Sequence, residues 1–212
     1  MFSTVYKLGY VQDTVPKNIF EQIKFETDPK TFNFDGLRYN NSLAGNLKKE
    51  YAFIPSKALY EELLEYLKRL GNYYWAQWNT LRPELEIKNT EHYDSNGNFT
   101  KDLWVNFQSK HEYNPIHHHG GELSFVIWVN IPYSIEDEFK VFSTANSKTT
   151  GTFSFHYPDH FHVGGVNSHC LYADRTWEGQ IIMFSSQLQH SVYPFYTSDE
   201  YRISVSGNLS PK

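Results

Sequence analysis

The chain has 212 residues, a formal charge of -5, 40% hydrophobic and 17% aromatic content, and a single cysteine. That length holds one sizeable core, and no low-complexity linker divides it, so one domain spanning residues 1–212 is expected. With no basic block to neutralise phosphates, general nucleic-acid binding is excluded, and the lone Cys170 excludes an intrachain disulfide or an all-cysteine zinc site.

The chain opens Met1-Phe2-Ser3-Thr4-Val5-Tyr6-Lys7, without the charged and apolar regions of a signal peptide, and no apolar run approaches the length of a bilayer span. A reducing cytoplasm without membrane partners is therefore the expected setting. Val15-Pro16 opens a helix with an apolar edge of Ile19, Phe20 and Ile23, and Asp28-Pro29 ends it. Asn41 to Leu47 reads as a tight loop leading into a helical turn at Lys48 to Tyr51. Ser56 then caps a helix whose Leu59, Leu63, Leu67 and Leu70 recur at helical spacing. Beyond Gly71 the aromatic run Tyr73 to Trp78 continues as a second helix towards Arg82-Pro83, packing the helices onto a sheet.

Asp94-Ser95-Asn96-Gly97-Asn98 is a turn. From there on the pattern is β, with strands expected at Leu103 to Gln108, Leu123 to Ile131, Phe139 to Phe142, Thr152 to Tyr157, Cys170 to Ala173, Gln180 to Ser185, Ser191 to Phe195 and Arg202 to Ser206. Short strands at even spacing imply a mainly β protein, a sandwich or jelly roll. Residues 1–100 would then supply helices that buttress one sheet, together with elements on the substrate side.

The chemistry gathers around Asn114-Pro115-Ile116-His117-His118-His119-Gly120-Gly121-Glu122. In an extended strand His117 and His119 share a face, so two imidazoles aim at one point. A third ligand is available where the apolar segment Gly179 to Phe184 ends in a polar turn that delivers His190. Twelve residues later Arg202, Ser204 and Ser206 share one face of an alternating strand while Ile203 and Val205 face the other way. A buried guanidinium needs an anionic partner, and its planar fork fits a carboxylate. Three ligands on one side of a metal beside an Arg/Ser clamp have the layout for chelating a small keto acid.

This array of His117-x-His119, His190-x-Val192-x-Pro194 and Arg202-x-Ser204-x-Ser206-x-Asn208 resembles the Fe(II)- and 2-oxoglutarate-dependent oxygenases built on the double-stranded β-helix, a cupin-like jelly roll. It is most similar to a branch known from bacteria and tailed phages of aquatic microbes, over roughly residues 103 to 210. The resemblance implies Fe(II), 2-oxoglutarate and O2 as cofactor and cosubstrates, with a double-stranded β-helix core over residues 101–212. It implies His117 as the proximal ligand, His119 where Asp or Glu usually stands, and His190 as the distal ligand. Arg202 would pair with the distal carboxylate of 2-oxoglutarate and Ser204 would hydrogen-bond it. The implied reaction is hydroxylation coupled to decarboxylation of 2-oxoglutarate to succinate, in the host cytoplasm if the chain is phage-encoded.

His119 departs from the usual pair of histidines and one carboxylate, and Glu122 offers an alternative ligand if Gly120-Gly121 forms a bulge that restores its parity. Asn106 and Tyr113 stand just upstream as candidates to contact cosubstrate or substrate, with core packing an equal reading for Tyr113. A second His-x-His, at Asp159-His160-Phe161-His162, has no matching Arg/Ser strand and reads as a flap or solvated hairpin tip. Two competing functions stay open. One is a three-histidine cupin-like enzyme that does not use 2-oxoglutarate, and the other is a phage structural or carbohydrate-binding jelly roll. The primary substrate, a small molecule or a protein side chain among other classes, and the oligomeric state are not encoded in any motif.

Overall fold

The computed structural model describes residues 8–78, 84–93, 99–159 and 162–212. The chain start, the Arg82-Pro83 boundary, the Asp94 to Asn98 turn, and His160 of the second His-x-His lie outside them. Strand β1 (Tyr10–Thr14) precedes helix α1 (Lys17–Glu26), which begins after Pro16 and ends at Thr27, whose hydroxyl donates to the Ile23 carbonyl at 2.8 Å. Strand β2 (Glu50–Ala52) forms where a helical turn was expected, because Glu50, Tyr51 and Ala52 pair with a central strand. Helix α2 (Lys57–Gln77) is capped by Ser56, whose Oγ accepts the Leu59 N–H, and buries Leu59, Leu63, Leu67 and Leu70 as their spacing requires.

α2 does not break at Gly71. A Cβ there would lie 2.5 Å from Leu85 Cδ1, so this glycine lets the helix approach strand β3 (Leu85–Ile87) rather than ending it. Strands β4 (Asn89–Tyr93) and β5 (Phe99–Lys101) pair with each other. The remaining strands are β6 (Leu103–Gln108), β7 (Asn114–His117), β8 (Leu123–Asn130), β9 (Phe153–Pro158), β10 (Val166–Leu171), β11 (Gln180–Ser185), β12 (His190–Val192) and β13 (Arg202–Pro211).

The strand expected at Phe139 to Phe142 is instead helix α3 (Ile135–Val141). Ser134 caps it by accepting the Asp137 N–H, and Glu136, Asp137 and Glu138 fill its first turn, where the macrodipole favours acids. Glu138 is fully buried and accepts the backbone N–H groups of Tyr196 and Thr197, which ties α3 to the segment before β13.

The strands form a seven-stranded antiparallel sheet in the order β1-β11-β8-β13-β6-β2, with β3 added on β13, and a four-stranded sheet in the order β10-β9-β12-β7. Along the chain β6, β8, β11 and β13 belong to the first sheet, and β7, β9, β10 and β12 to the second. The fold is therefore mostly β and jelly-roll-like, with added helices.

Alternation sorts the core. Leu103, Val105 and Phe107, Leu123, Phe125 and Ile127, Ile181 and Met183, and Ile203 and Val205 pack with Leu63 and Leu67 of α2 and Ile19 and Ile23 of α1. The intervening positions face the second sheet. On β11 they are Ile182 and Phe184, which pack with Phe153, Phe155 and Trp128. On β13 they are polar, and on β6 they are Trp104, Asn106 and Gln108. No helix among the described residues is long and apolar enough to cross a membrane.

Gly207 sits where β13 crosses β6. A Cβ there would stand 2.6 Å from Leu103 Cδ2 and 2.7 Å from the Asp102 carbonyl oxygen. Gly207→Ala is expected to destabilise the fold by about 1–3 kcal/mol through overpacking, read as a lower denaturant midpoint with an unchanged slope.

Candidate metal and cosubstrate site

The polar face of the seven-stranded sheet looks onto β7 and β12 of the other sheet, and the sequence delivers the histidines there. His117 ends β7 and His190 begins β12, and the two are register partners across that pair. His119 follows two residues beyond β7, its N–H donating to the Ser186 carbonyl at 2.9 Å while its own carbonyl accepts from Gln187 Nε2 at 3.1 Å. These bonds hold the turn so that His119 meets the strand pair. The ring centroids stand 4.9 Å apart for His117 and His119, 4.3 Å for His117 and His190, and 5.0 Å for His119 and His190.

One nitrogen from each ring lies within 4.8 Å of the others, close enough for one ion to draw the three together. His117 Nδ1 donates to the Pro115 carbonyl at 2.7 Å and His190 Nδ1 to the Leu188 carbonyl at 2.9 Å. A carbonyl can only accept, so each of these rings carries its proton on Nδ1 and keeps the Nε2 lone pair for a metal. His190 is stacked on Phe153 at 5.3 Å and meets Phe184 edge-on, and His119 lies against Trp104 at 5.2 Å.

Burial is the main cause that lowers the basicity of all three rings. His117 is shifted down, His190 well down, and His119 to about 3, the last with further help from His117 and His118. At neutral pH the cluster is three uncharged donors, the form in which imidazole binds iron, zinc, copper or nickel. Glu122 is not part of this three-residue group. Gly121 takes a φ of +96° and packs against the Leu209 carbonyl, and the Glu122 N–H is bonded to that same carbonyl at 2.8 Å.

Arg202 begins β13 and is 5% exposed. Its Nε and Nη2 donate to Gln108 Oε1 at 3.1 and 2.6 Å, its Nη1 to the Tyr133 hydroxyl at 2.6 Å and the Gly151 carbonyl at 2.9 Å, and its Nη2 also to the Tyr193 carbonyl at 3.2 Å. Those bonds use all five N–H donors of a guanidinium, and every acceptor is neutral. The fork lines the same cavity as the three histidines, along with Asn106, Ser124, Ser204 and Ser206.

Of the residues singled out from the sequence, the structure brings His117, His119, His190, Arg202, Ser204 and Asn106 to one cavity. Tyr113 does not join them. Its carbonyl is held by the Asn46 N–H just before β7, and the residue is 43% exposed, so it lies at the surface and not in the core. His162 of the second His-x-His pairs with Asp159 at 2.7 Å in an exposed loop. Gln108, Tyr133 and Trp104 were not singled out as site residues. Period-two alternation along β6 puts Trp104 and Gln108 on the face of Asn106 and is the signal that could have found them, whereas Tyr133 arrives through a loop without periodicity.

A jelly-roll-like fold thus gathers three uncharged imidazoles, a donor set of the kind that can hold a metal ion, in one cavity with a buried arginine. In line with this, the family described as "Putative 2OG-Fe(II) oxygenase" matches residues 102–208, half of the chain. The chain belongs to the 2OG-Fe(II) oxygenase family, an oxidoreductase family that uses Fe(II), 2-oxoglutarate and O2.

Among solved structures the chain is similar to a Pseudomonas putida prolyl-4-hydroxylase, with 11% identity over 97% of this chain and 94% of that one at a TM-score of 0.56. It also matches an oxidoreductase of the 2OG-Fe(II) oxygenase family from Burkholderia pseudomallei, at 16% identity over 74% of this chain and 58% of that one, with a TM-score of 0.45. The first likeness is one of fold. No curated protein matches by sequence.

The depressed histidines make the metal-free protein acid-sensitive. An unfolded histidine titrates near its ordinary value of about 6.5, so below that pH the unfolded chain binds protons that the folded site refuses. Their contribution is full above about pH 6.5 and is lost as pH falls towards the folded values, about 3 for His119. The urea midpoint measured with chelator present is expected to fall between pH 6.5 and pH 5, and to fall less steeply in His119→Phe. A wild-type midpoint that is flat across that window would contradict this.

Proposed function

We propose that the protein is an Fe(II)- and 2-oxoglutarate-dependent dioxygenase that hydroxylates its substrate, with His117, His119 and His190 as the metal ligands and Arg202 and Ser204 as the cosubstrate anchor. The sheet orders β11-β8-β13-β6 and β10-β9-β12-β7 support reading the core as a double-stranded β-helix. The observation that carries the reading is the pairing, in one cavity, of three lone-pair donors with a buried guanidinium that has no carboxylate among its hydrogen-bond partners. A buried cation without an anion is costly, and a dicarboxylate reaching from the histidines to Arg202 relieves that cost.

The donor set fits iron. Two of the three rings have their tautomers fixed by backbone carbonyls, and all three are neutral at working pH. When bound, iron with 2-oxoglutarate and O2 supplies the oxidising chemistry, in which the cosubstrate is decarboxylated to succinate. The chain's own groups do the rest. Phe153, Phe184 and Trp104 shield the histidines from water, and Ser204, on the face of β13 shared with Arg202, presents a hydroxyl beside the fork.

Gln108 Oε1 accepts from Nε and Nη2 together, as one edge of a carboxylate would. A cosubstrate carboxylate takes over this edge and exchanges a neutral acceptor for a charged one. A second reading is favoured by the missing carboxylate in the metal set: a three-histidine enzyme in which Arg202 holds the substrate's own carboxylate. Oxygen uptake that requires 2-oxoglutarate selects the first reading, and uptake without it selects the second.

Under the first reading, anaerobic calorimetry on the Fe(II)-loaded protein is expected to show 2-oxoglutarate binding. Arg202→Lys keeps the charge but loses the fork, and is expected to weaken that binding by about 30-fold or more while sparing iron. His190→Ala is expected to lose iron first and cosubstrate with it. Absence of 2-oxoglutarate binding in the wild type would overturn the assignment.

A further inference from the structure

A row of unpartnered acceptors leads away from the histidines. Asn106 Oδ1 and Asn114 Oδ1, both on residues that line the cavity, are buried without a hydrogen-bond partner, and so are Glu50 Oε1 and Asn40 Oδ1. The row is continuous through the sheet. Glu50 on β2 is the register partner of Asn106 on β6, and Asn106 is the register partner of Ser204 on β13, so the three side chains share one face of the sheet, with Asn106 and Ser204 at the cavity and Glu50 behind Asn106. Asn40 Nδ2 donates to Glu50 Oε2 at 3.2 Å, which leaves Oε1 free, and Gly45 closes over that oxygen so tightly that a Cβ there would collide with it. The adjoining Leu43 and Ala44 line the cavity wall. Glu50 is fully buried and Asn106 is 8% exposed.

Buried polar atoms are nearly always paired, so several orphans of one kind in one place point to a missing partner of the opposite kind. The three amide oxygens are acceptors, and Glu50 Oε1 is one once its carboxyl is ionised, so the partner must donate. 2-Oxoglutarate as a dianion has only acceptor oxygens and cannot supply it. An alcohol brings one donor, while an ammonium, a guanidinium or a primary amide brings from two to five. Burial, aided by the nearby Glu112, pushes Glu50 up to about 7, so this carboxyl is ready to ionise against an incoming cation.

We infer that Asn106 and Asn114, backed by the Glu50 carboxyl behind Asn106, form the substrate subsite of this cavity, and that it accepts a nitrogen group carrying several N–H donors, an ammonium or guanidinium or a primary amide. The inference rests on the oxygenase reading for what happens to the bound group, but the subsite itself stands on its own orphaned acceptors. Tyr39, Ala52 and Trp104 pack together beside the row, and the Tyr39 hydroxyl donates to Asp102 Oδ1 at 3.1 Å rather than to the row.

The test is anaerobic calorimetry of the full chain loaded with Fe(II) and 2-oxoglutarate, titrated with methylguanidinium, n-butylammonium and propionamide, and with 1-butanol and butyrate for comparison. At least one N–H probe is expected to bind at least tenfold more tightly than butanol or butyrate. Glu50→Gln is expected to weaken the cationic probes by about tenfold or more and propionamide much less, which separates the cationic from the neutral head. Asn106→Asp, a second variant whose melting temperature is checked alongside, is expected to tighten the cationic probes. Equal binding of N–H probes, butanol and butyrate, or cation binding unchanged in both variants, would overturn the inference and leave the acceptors to buried water. If 2-oxoglutarate fails to bind the wild type, the oxygenase reading fails, and the same titrations on the iron-loaded protein still decide the subsite.

Discussion

The structure depends on one constraint, the two-faced burial of β13. Its neighbours β8 and β6 cover both edges, the helices cover one face and the second sheet covers the other, so every residue along it is committed. Ile203, Val205 and Leu209 go to the helix side. Arg202, Ser204 and Ser206 go to the cavity. A slip of one residue would bury the arginine among leucines and point the isoleucine at the histidines, so register and function are fixed by the same pattern. The apolar core around α2 therefore acts at a distance, by holding the strand that aims the polar face.

That polar face has a price. Arg202 is buried with five donated hydrogen bonds and no anion, and it links β13 to Gln108 on β6, to Tyr133 and Gly151 near α3, and to Tyr193 before β13. Glu138, also buried, is spent on the backbone of Tyr196 and Thr197, one segment away, and not on the guanidinium. Two opposite charges thus lie in one neighbourhood, each satisfied by neutral groups. A structural ion pair would have been the simpler way to bury both. Leaving the arginine without an anion keeps it responsive to one brought from outside.

Much of this was legible in residue order. Period-two alternation in Arg202 to Ser206 placed the inward polar residues of β13, and a polar turn after an apolar strand marked His190. Helix α2 was legible in its leucines up to Gly71, where a local rule about glycine met a tertiary fact, the approach of Leu85. Helix α3 was misread because Phe139, Val141 and Phe142 resemble a strand, while the signal that decides it, the Ser134 cap and the acidic turn, lies just upstream. The parity argument about His119 and Glu122 assumed a straight strand. β7 ends at His117, and the backbone bond of His119 to Ser186 supplies the direction that alternation could not. The acceptor row escaped sequence reasoning altogether, because Glu50 meets Asn106 only through the β2–β6 register, which no local pattern encodes.

The charge of the proposed centre follows from these placements. Three neutral imidazoles leave a divalent iron with both of its charges, where a carboxylate ligand would have cancelled one. Arg202 adds a third positive charge on the same cavity wall. Without a ligand of its own this cavity is strongly electropositive at the histidine end, and a dianion is the cosubstrate that such a balance selects, through field as much as through contact. The acceptor row works in the opposite sense. With the dianion in place, iron and cosubstrate cancel, one positive charge remains at Arg202, and the carboxyl of Glu50 stands on the far side of Asn106 to meet a donor. In the proposed centre a cationic substrate would be opposed by the bare metal and accepted once the dianion had neutralised it.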